Sequence, residues 1–210
     1  YEANKQSYPN LLLSQWACTG VFDGMATPKD IDFSFVGQIY GDRSRQLLQI
    51  RKRMPIAVFG KGTVQSRSII WKARRRLAEV LIGSCWQAPD RPLQYPEVND
   101  IWNRSKVSFT PLKASRSGRV QIKGRVFEMG LSGTVMLCDR NPALYEFYEP
   151  DKEFVEFDSI EDCVQKAKYL ISHDQERRTI AEAYYRRTKA QHLWIHRYRE
   201  LFKAIGLEHD

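Results

Sequence analysis

No stretch of this sequence approaches the roughly twenty consecutive apolar residues that a helix needs to cross a bilayer, which excludes a membrane-spanning protein. Cysteine is scarce. Cys18, Cys85, Cys138 and Cys163 are far apart and form no CxxC pair, so a disulfide framework or zinc site is not expected. Three of them stand in apolar or helical surroundings and read as small buried hydrophobes, with Cys18 in a loop. Nine prolines and twelve glycines are too few for a low-complexity chain. Neither a GxGxxG nor a Walker pattern occurs, so the dinucleotide and P-loop fingerprints are missing. His192 and His196 have the i,i+4 spacing of a metal pair, but Leu193, Trp194 and Ile195 between them lack the metalloprotease glutamate. Metal is not expected.

What is present is an ordinary core-forming composition: 210 residues, 42% hydrophobic and 12% aromatic. The net charge is +8, which favours an anionic partner such as phosphate, nucleic acid or an acidic membrane surface. The first residue is Tyr1 rather than Met, so the sequence reads as an excised segment, and the lack of a signal peptide carries no information about location. Cysteine usage makes a reducing, cytoplasmic setting the default.

Periodicity alternates between short β-forming runs and amphipathic stretches. Strands are expected at 11–14, 31–39, 55–59, 106–110, 134–138 and 154–157. Helices are expected from Asp42 as N-cap to the residues before Pro55, then over 65–82, 98–104, 123–131 and 143–148. Ser159 caps a further helix, Asp174 begins another, and a last one covers 191–205. Strands alternating with helices imply one doubly wound α/β domain, Rossmann-like with a mostly parallel sheet. Residues 1–30 lead into it, 31–158 form its core, and 159–210 add C-terminal helices of the same domain.

Ligands of such sheets bind at the carboxyl ends of strands. Three loops there are suggestive. Gly37 to Arg43 runs from a strand end to a helix start, with two glycines that let backbone approach a bound group. Gly60-Lys61-Gly62 holds an ammonium over open backbone, although a solvated turn explains it equally well. The third, from Gln121 to Glu128, places Lys123 and Arg125 in the first helical turn, the wrong end for cations on dipole grounds. A bound anion would resolve that conflict. Glu128 follows one turn below Gly124, where a carboxylate can accept hydrogen bonds from a ribose diol. The bland alternative is an Arg125–Glu128 surface pair. Arg74 to Arg76, Arg177-Arg178 and Arg186-Arg187 read as solvated helix faces, without a nucleic-acid motif beside them.

At these residues the chain resembles the CgeB-type glycosyltransferase-like family. The resemblance is carried by Asp32 to Gly37 with Gly41-Asp42-Arg43, Val58 to Gly62, Ser105-Lys106-Val107, Ile122 to Glu128 with Gly133, and Lys152 to Val155 with Phe157-Asp158-Ser159. It closes with Ala181, Tyr185, Arg186, His192 and His196-Arg197. It implies one half of a GT-B fold, the half that binds a nucleotide sugar, without metal or other cofactor. It further implies Glu128 on the donor ribose, Arg43, Lys61, Lys123 and Arg125 on the diphosphate, Gly37 and Gly124 at the close backbone approach, and Tyr95 near the base. Lys123 and Arg125 carry the catalytic role in that reading. Position 120, eight before Glu128, is Val where many retaining relatives carry a second glutamate, so a retaining outcome is not implied. A complete GT-B enzyme needs two such domains, roughly 350 residues, so an N-terminal acceptor-binding domain or partner is implied as well. The alternatives are a non-catalytic module derived from that fold and a basic nucleic-acid-binding domain. A peripheral contact with anionic membrane is compatible with the charge. Trp194, Tyr198, Leu201, Phe202 and Ile205 form an apolar face on the last helix, for packing at home or against the second domain.

Overall fold

The computed structural model describes residues 2–8, 10–39, 41–60, 92–112 and 122–207. Lys61, the helix expected over 65–82 with Arg74 to Arg76, Cys85 and the loop carrying Val120 lie outside the described residues. After a single turn, α1 (Glu2–Lys5), come β1 (Ile31–Val36), α2 (Asp42–Arg51), β2 (Ala57–Phe59), α3 (Tyr95–Arg104) and β3 (Ser105–Phe109). They are followed by α4 (Gly124–Gly130), β4 (Val135–Asp139), β5 (Val155–Phe157), α5 (Ile160–Ser172), α6 (Asp174–Gln191) and α7 (Trp194–Ala204).

The strands form one five-stranded sheet in the order β2-β1-β3-β4-β5, and each pairing is parallel. Alternation along the strands explains the layers. Phe33, Phe35, Val107, Phe109, Val135 and Leu137 face one side, where Leu47 and Ile50 of α2 and Cys163, Ala167 and Leu170 of α5 cover them. Val36, Met136 and Cys138 face the other, against Ile101 and Trp102 of α3, Val126 and Phe127 of α4, and Tyr184 of α6. With both faces covered, β4 reads as a continuous hydrophobic run from Val135 to Cys138. Val135, Met136 and Leu137 are each fully buried, and such burial stabilises by about 1.5–3 kcal/mol per large side chain. This is the expected doubly wound, Rossmann-like architecture.

Local chemistry sets the boundaries. The Ser159 hydroxyl accepts from the Asp162 N–H at 3.1 Å and starts α5 as expected. Gly41, at φ +55°, takes the N-cap of α2, so Asp42 is its first residue rather than its cap. The third helix begins at Tyr95 rather than Val98, because Gln94 and Glu97 form a capping box with Pro96 inside the first turn. The strand expected at 11–14 is absent. Leu12 and Leu13 are exposed, and this segment makes no ladder until Cys18 bridges Leu193. Cys18 stands in this irregular segment as expected, and the bridge buries its thiol.

Candidate active site

Strand order reverses between β1 and β3, and in open parallel sheets the crevice at that reversal is where ligands bind. Two glycines shape its floor. Gly37 follows β1 and Gly60 follows β2, and both have φ near +150°, which L side chains rarely adopt. The Gly37 N–H donates to Phe59 O at 2.9 Å. A Cβ on Gly60 would lie 1.8 Å from Gly37 O, so the two strand ends meet backbone to backbone.

The cationic residues come to this floor from α4. A Cβ built on Gly37 would stand 3.3 Å from Arg125 Nη1, which brings the guanidinium to the end of β1. Lys123 is the N-cap of α4 and Arg125 its second residue, on a helix of only two turns. Ahead of them, Gln15 Nε2 donates to Ile122 O at 3.0 Å and ties the N-terminal segment to the helix start.

One turn along α4, Glu128 is buried, at 9% exposure. It is not the solvated partner of a surface pair. The Tyr95 hydroxyl donates to Glu128 Oε1 at 3.0 Å. Burial raises the Glu128 pKa above the ordinary glutamate value, while the Tyr95 hydrogen bond and the Arg125 charge pull it partly back. The Glu128 charge in turn raises the Tyr95 phenol pKa. Gly124 leaves space above the carboxylate, since a Cβ there would meet Glu128 Oε1 at 3.4 Å and Trp16 Cε3 at 3.8 Å.

Gly37, Tyr95, Gly124, Arg125 and Glu128 are thus brought together, with Lys123 beginning the same helix. Arg43 is placed differently. It is buried, and it donates to Gln38 O at 3.1 Å and to Pro111 O at 3.5 Å. These bonds brace the turn after β1 against the segment after β3. Sequence reasoning assigned the N-terminal segment no part in the site. Gln15 holds Ile122 O, Trp16 borders Gly124, and Phe22 supports the Tyr95 ring at a centroid distance of 5.6 Å. Aromatics in a segment without a strand or helix pattern, Trp16 and Phe22, were the one available signal. A separate hollow of about 440 Å³, lined by Asp151, Lys166, Tyr169 and Glu176 among others, shares no residue with this cluster.

No group of three metal-ligating side chains occurs among the described residues. His192 is buried among Phe127, Phe147 and Tyr148, with Nε2 on Phe147 O and Nδ1 on Arg197, while His196 Nδ1 accepts from the Leu193 N–H. Arg177 is buried against Leu170 O and Asp174, Arg178 pairs with Asp174, and Arg187 with Glu153, so these basic residues serve their own fold. No described helix is long and apolar enough to cross a membrane.

Comparison with known proteins agrees with this architecture. The structure is similar to Anabaena Alr3699/HepE, solved in complex with UDP and glucose, with a TM-score of 0.65 at 8% identity, over 83% of this chain and 47% of that one. It is similar to sucrose-phosphate synthase from Thermosynechococcus elongatus, with a TM-score of 0.64 at 14% identity, over 97% of this chain and 56% of that one. It also matches the C-terminal domain of the group 1 glycosyl transferase LpcC from Francisella tularensis, with a TM-score of 0.54 at 14% identity, over 83% of this chain and 94% of that domain. The chain therefore spans about half the length of the first two. At these identities the likeness establishes the fold, that of one half of a GT-B glycosyltransferase. No curated protein matches the sequence. A profile described as glycosyl transferase-like matches residues 38–203, most of the chain, and by that match the protein belongs to the glycosyl transferase-like family.

Proposed function

We propose that this chain is the donor-binding half of a sugar-transferring enzyme of CgeB type, with a nucleoside diphosphate sugar as donor. The observation that carries the reading is Glu128: a buried carboxylate, oriented by Tyr95, one turn from the cations of α4, in the crevice where strand order reverses. A carboxylate so placed accepts from two adjacent hydroxyls, which suits a ribose diol. Arg125 and Lys123 suit the diphosphate, with Gly37 permitting the close approach. Arg43 braces the wall on that side, and Lys61 is assigned to the same anion.

The chemistry asked of these residues is electrostatic. As the bond from the sugar's anomeric carbon to the diphosphate oxygen breaks, negative charge grows on the departing nucleotide. Fixed cations stabilise that charge without reorganising. Arg125 and Lys123 fill that role in a metal-independent transfer, and Glu128 positions the donor without exchanging a proton. The acceptor, and the base that takes its proton, belong to a second half. UDP sugars are the first donors to examine, since HepE was solved with UDP and glucose.

Thermal-shift screening against UDP, GDP, CDP and TDP tests the reading. A nucleotide that binds, supplied at a hundred times its Kd, stabilises the fold by about 2.7 kcal/mol. A melting temperature that stays put with all four at millimolar concentration contradicts it.

A further inference from the structure

We propose that Trp16, from the segment ahead of β1, is the aromatic wall on which the nucleobase of the donor stacks; this rests on the donor-site reading above. Trp16 is 59% exposed, yet the segment that bears it is firmly held. On one side Gln15 is hydrogen-bonded to Ile122 O, and Ala17 is buried. On the other, the Cys18 N–H donates to His192 O at 3.0 Å and the Trp194 N–H to Cys18 O at 2.9 Å. The Trp194 ring meets the Trp16 indole edge-on, with centroids 6.2 Å apart and planes at 69°. A large apolar ring mounted this rigidly and left in solvent gains nothing for the fold from its open face. It is ready to bury that face against a ligand.

Its neighbours say which ligand. Trp16 and Glu128 both border the space that a Gly124 side chain would fill. Arg125 lies toward Gly37 and the end of β1. A nucleoside diphosphate with its phosphates at Arg125 and its ribose at Glu128 carries a planar base one unit further on. Tyr95 is already committed through its hydroxyl to Glu128 and through its ring to Phe22. The indole, held edge-on by Trp194, is the other large flat surface beside the carboxylate, and its polar atom is not spent on Glu128. Stacking on indole accepts every base, because every base has a π-face. Trp16 therefore contributes affinity for the nucleoside without choosing among bases.

Calorimetric titration of the wild type, Trp16→Ala and Trp16→Phe with UDP, GDP and inorganic pyrophosphate tests this. Circular dichroism and melting confirm that the variants fold. Trp16→Ala is expected to weaken both nucleotides about tenfold in equal proportion and to leave pyrophosphate unchanged. Trp16→Phe keeps a stacking face and holds both affinities within about threefold of the wild type. Equal UDP affinity in the wild type and Trp16→Ala overturns the inference alone, as does an equal loss for pyrophosphate. A wild type that binds none of UDP, GDP, CDP and TDP overturns the donor-site reading and this inference with it.

Discussion

Acid should loosen the junction of α6 and α7, and the size of the effect follows from His192. This histidine is 5% exposed, packed among Phe127, Phe147 and Tyr148. Arg197 Nη2 lies 3.0 Å from its Nδ1, and its Nε2 lies 3.2 Å from Phe147 O. These partners suit the neutral ring, with Nε2 donating and Nδ1 accepting. A proton on Nδ1 would set two donors and two positive charges against each other. Burial first, and then the nearby arginines, depress the pKa from 6.5 to about 4, against an opposing contribution from Phe147 O. The unfolded chain therefore binds the proton more readily than the folded one, and stability falls as pH drops from 6.5 toward 4. A depression of this size corresponds to about 3 kcal/mol. Glu128 acts in the opposite sense, because its raised pKa means that protonation relieves a buried charge. Comparing the wild type with His192→Gln removes that shared background. Urea midpoints measured from pH 7.5 to 4.5 should converge as pH falls, the wild type losing its advantage within that window. Parallel curves for the two proteins would refute the reasoning.

The crevice floor supplies a second prediction. Gly60→Ala places a carbon against Gly37 O and forces an unfavourable φ, so it should cost about 2–4 kcal/mol in urea denaturation; an unchanged midpoint contradicts the close packing of the two strand ends. Tyr95→Phe removes the hydroxyl that favours ionised Glu128. Nucleotide affinity should fall by about 1 kcal/mol, and its decline on acidification should begin at higher pH than in the wild type, as calorimetry across pH will show.

The sheet was legible because its strands are short apolar runs, aromatic and β-branched at 33–36 and continuously apolar at 135–138, separated by helices whose apolar residues recur at helical spacing. Boundaries shifted where a side chain outside the periodic run decided the matter, as Gln94 and Glu97 do for α3. The apolar stretch Leu11-Leu12-Leu13 misled because local pattern cannot report that no strand lies beside it. At the site, Gly124, Arg125 and Glu128 were legible because one helix fixes their spacing. The resemblance set Tyr95 near the base, and its hydrogen bond to Glu128, 33 residues away, was not legible from any local rule. Gln15 and Trp16 were illegible for a physical reason: their partners at Ile122, Gly124 and Trp194 are more than a hundred residues away, and only the folded chain brings them together. Arg43 was not legible as a brace: its bonds to Gln38 O and Pro111 O depend on where the fold brings those carbonyls.

The central claim is that the Glu128 carboxylate clasps a ribose diol, and calorimetry with paired ligands addresses it directly. UDP and 2′-deoxy-UDP differ only in the hydroxyl at stake. The wild type should prefer UDP by about 1–3 kcal/mol, and Glu128→Ala should bind both with the same reduced affinity. A preference for UDP that survives in Glu128→Ala would mean that another group holds the ribose, and the account would be wrong at its centre.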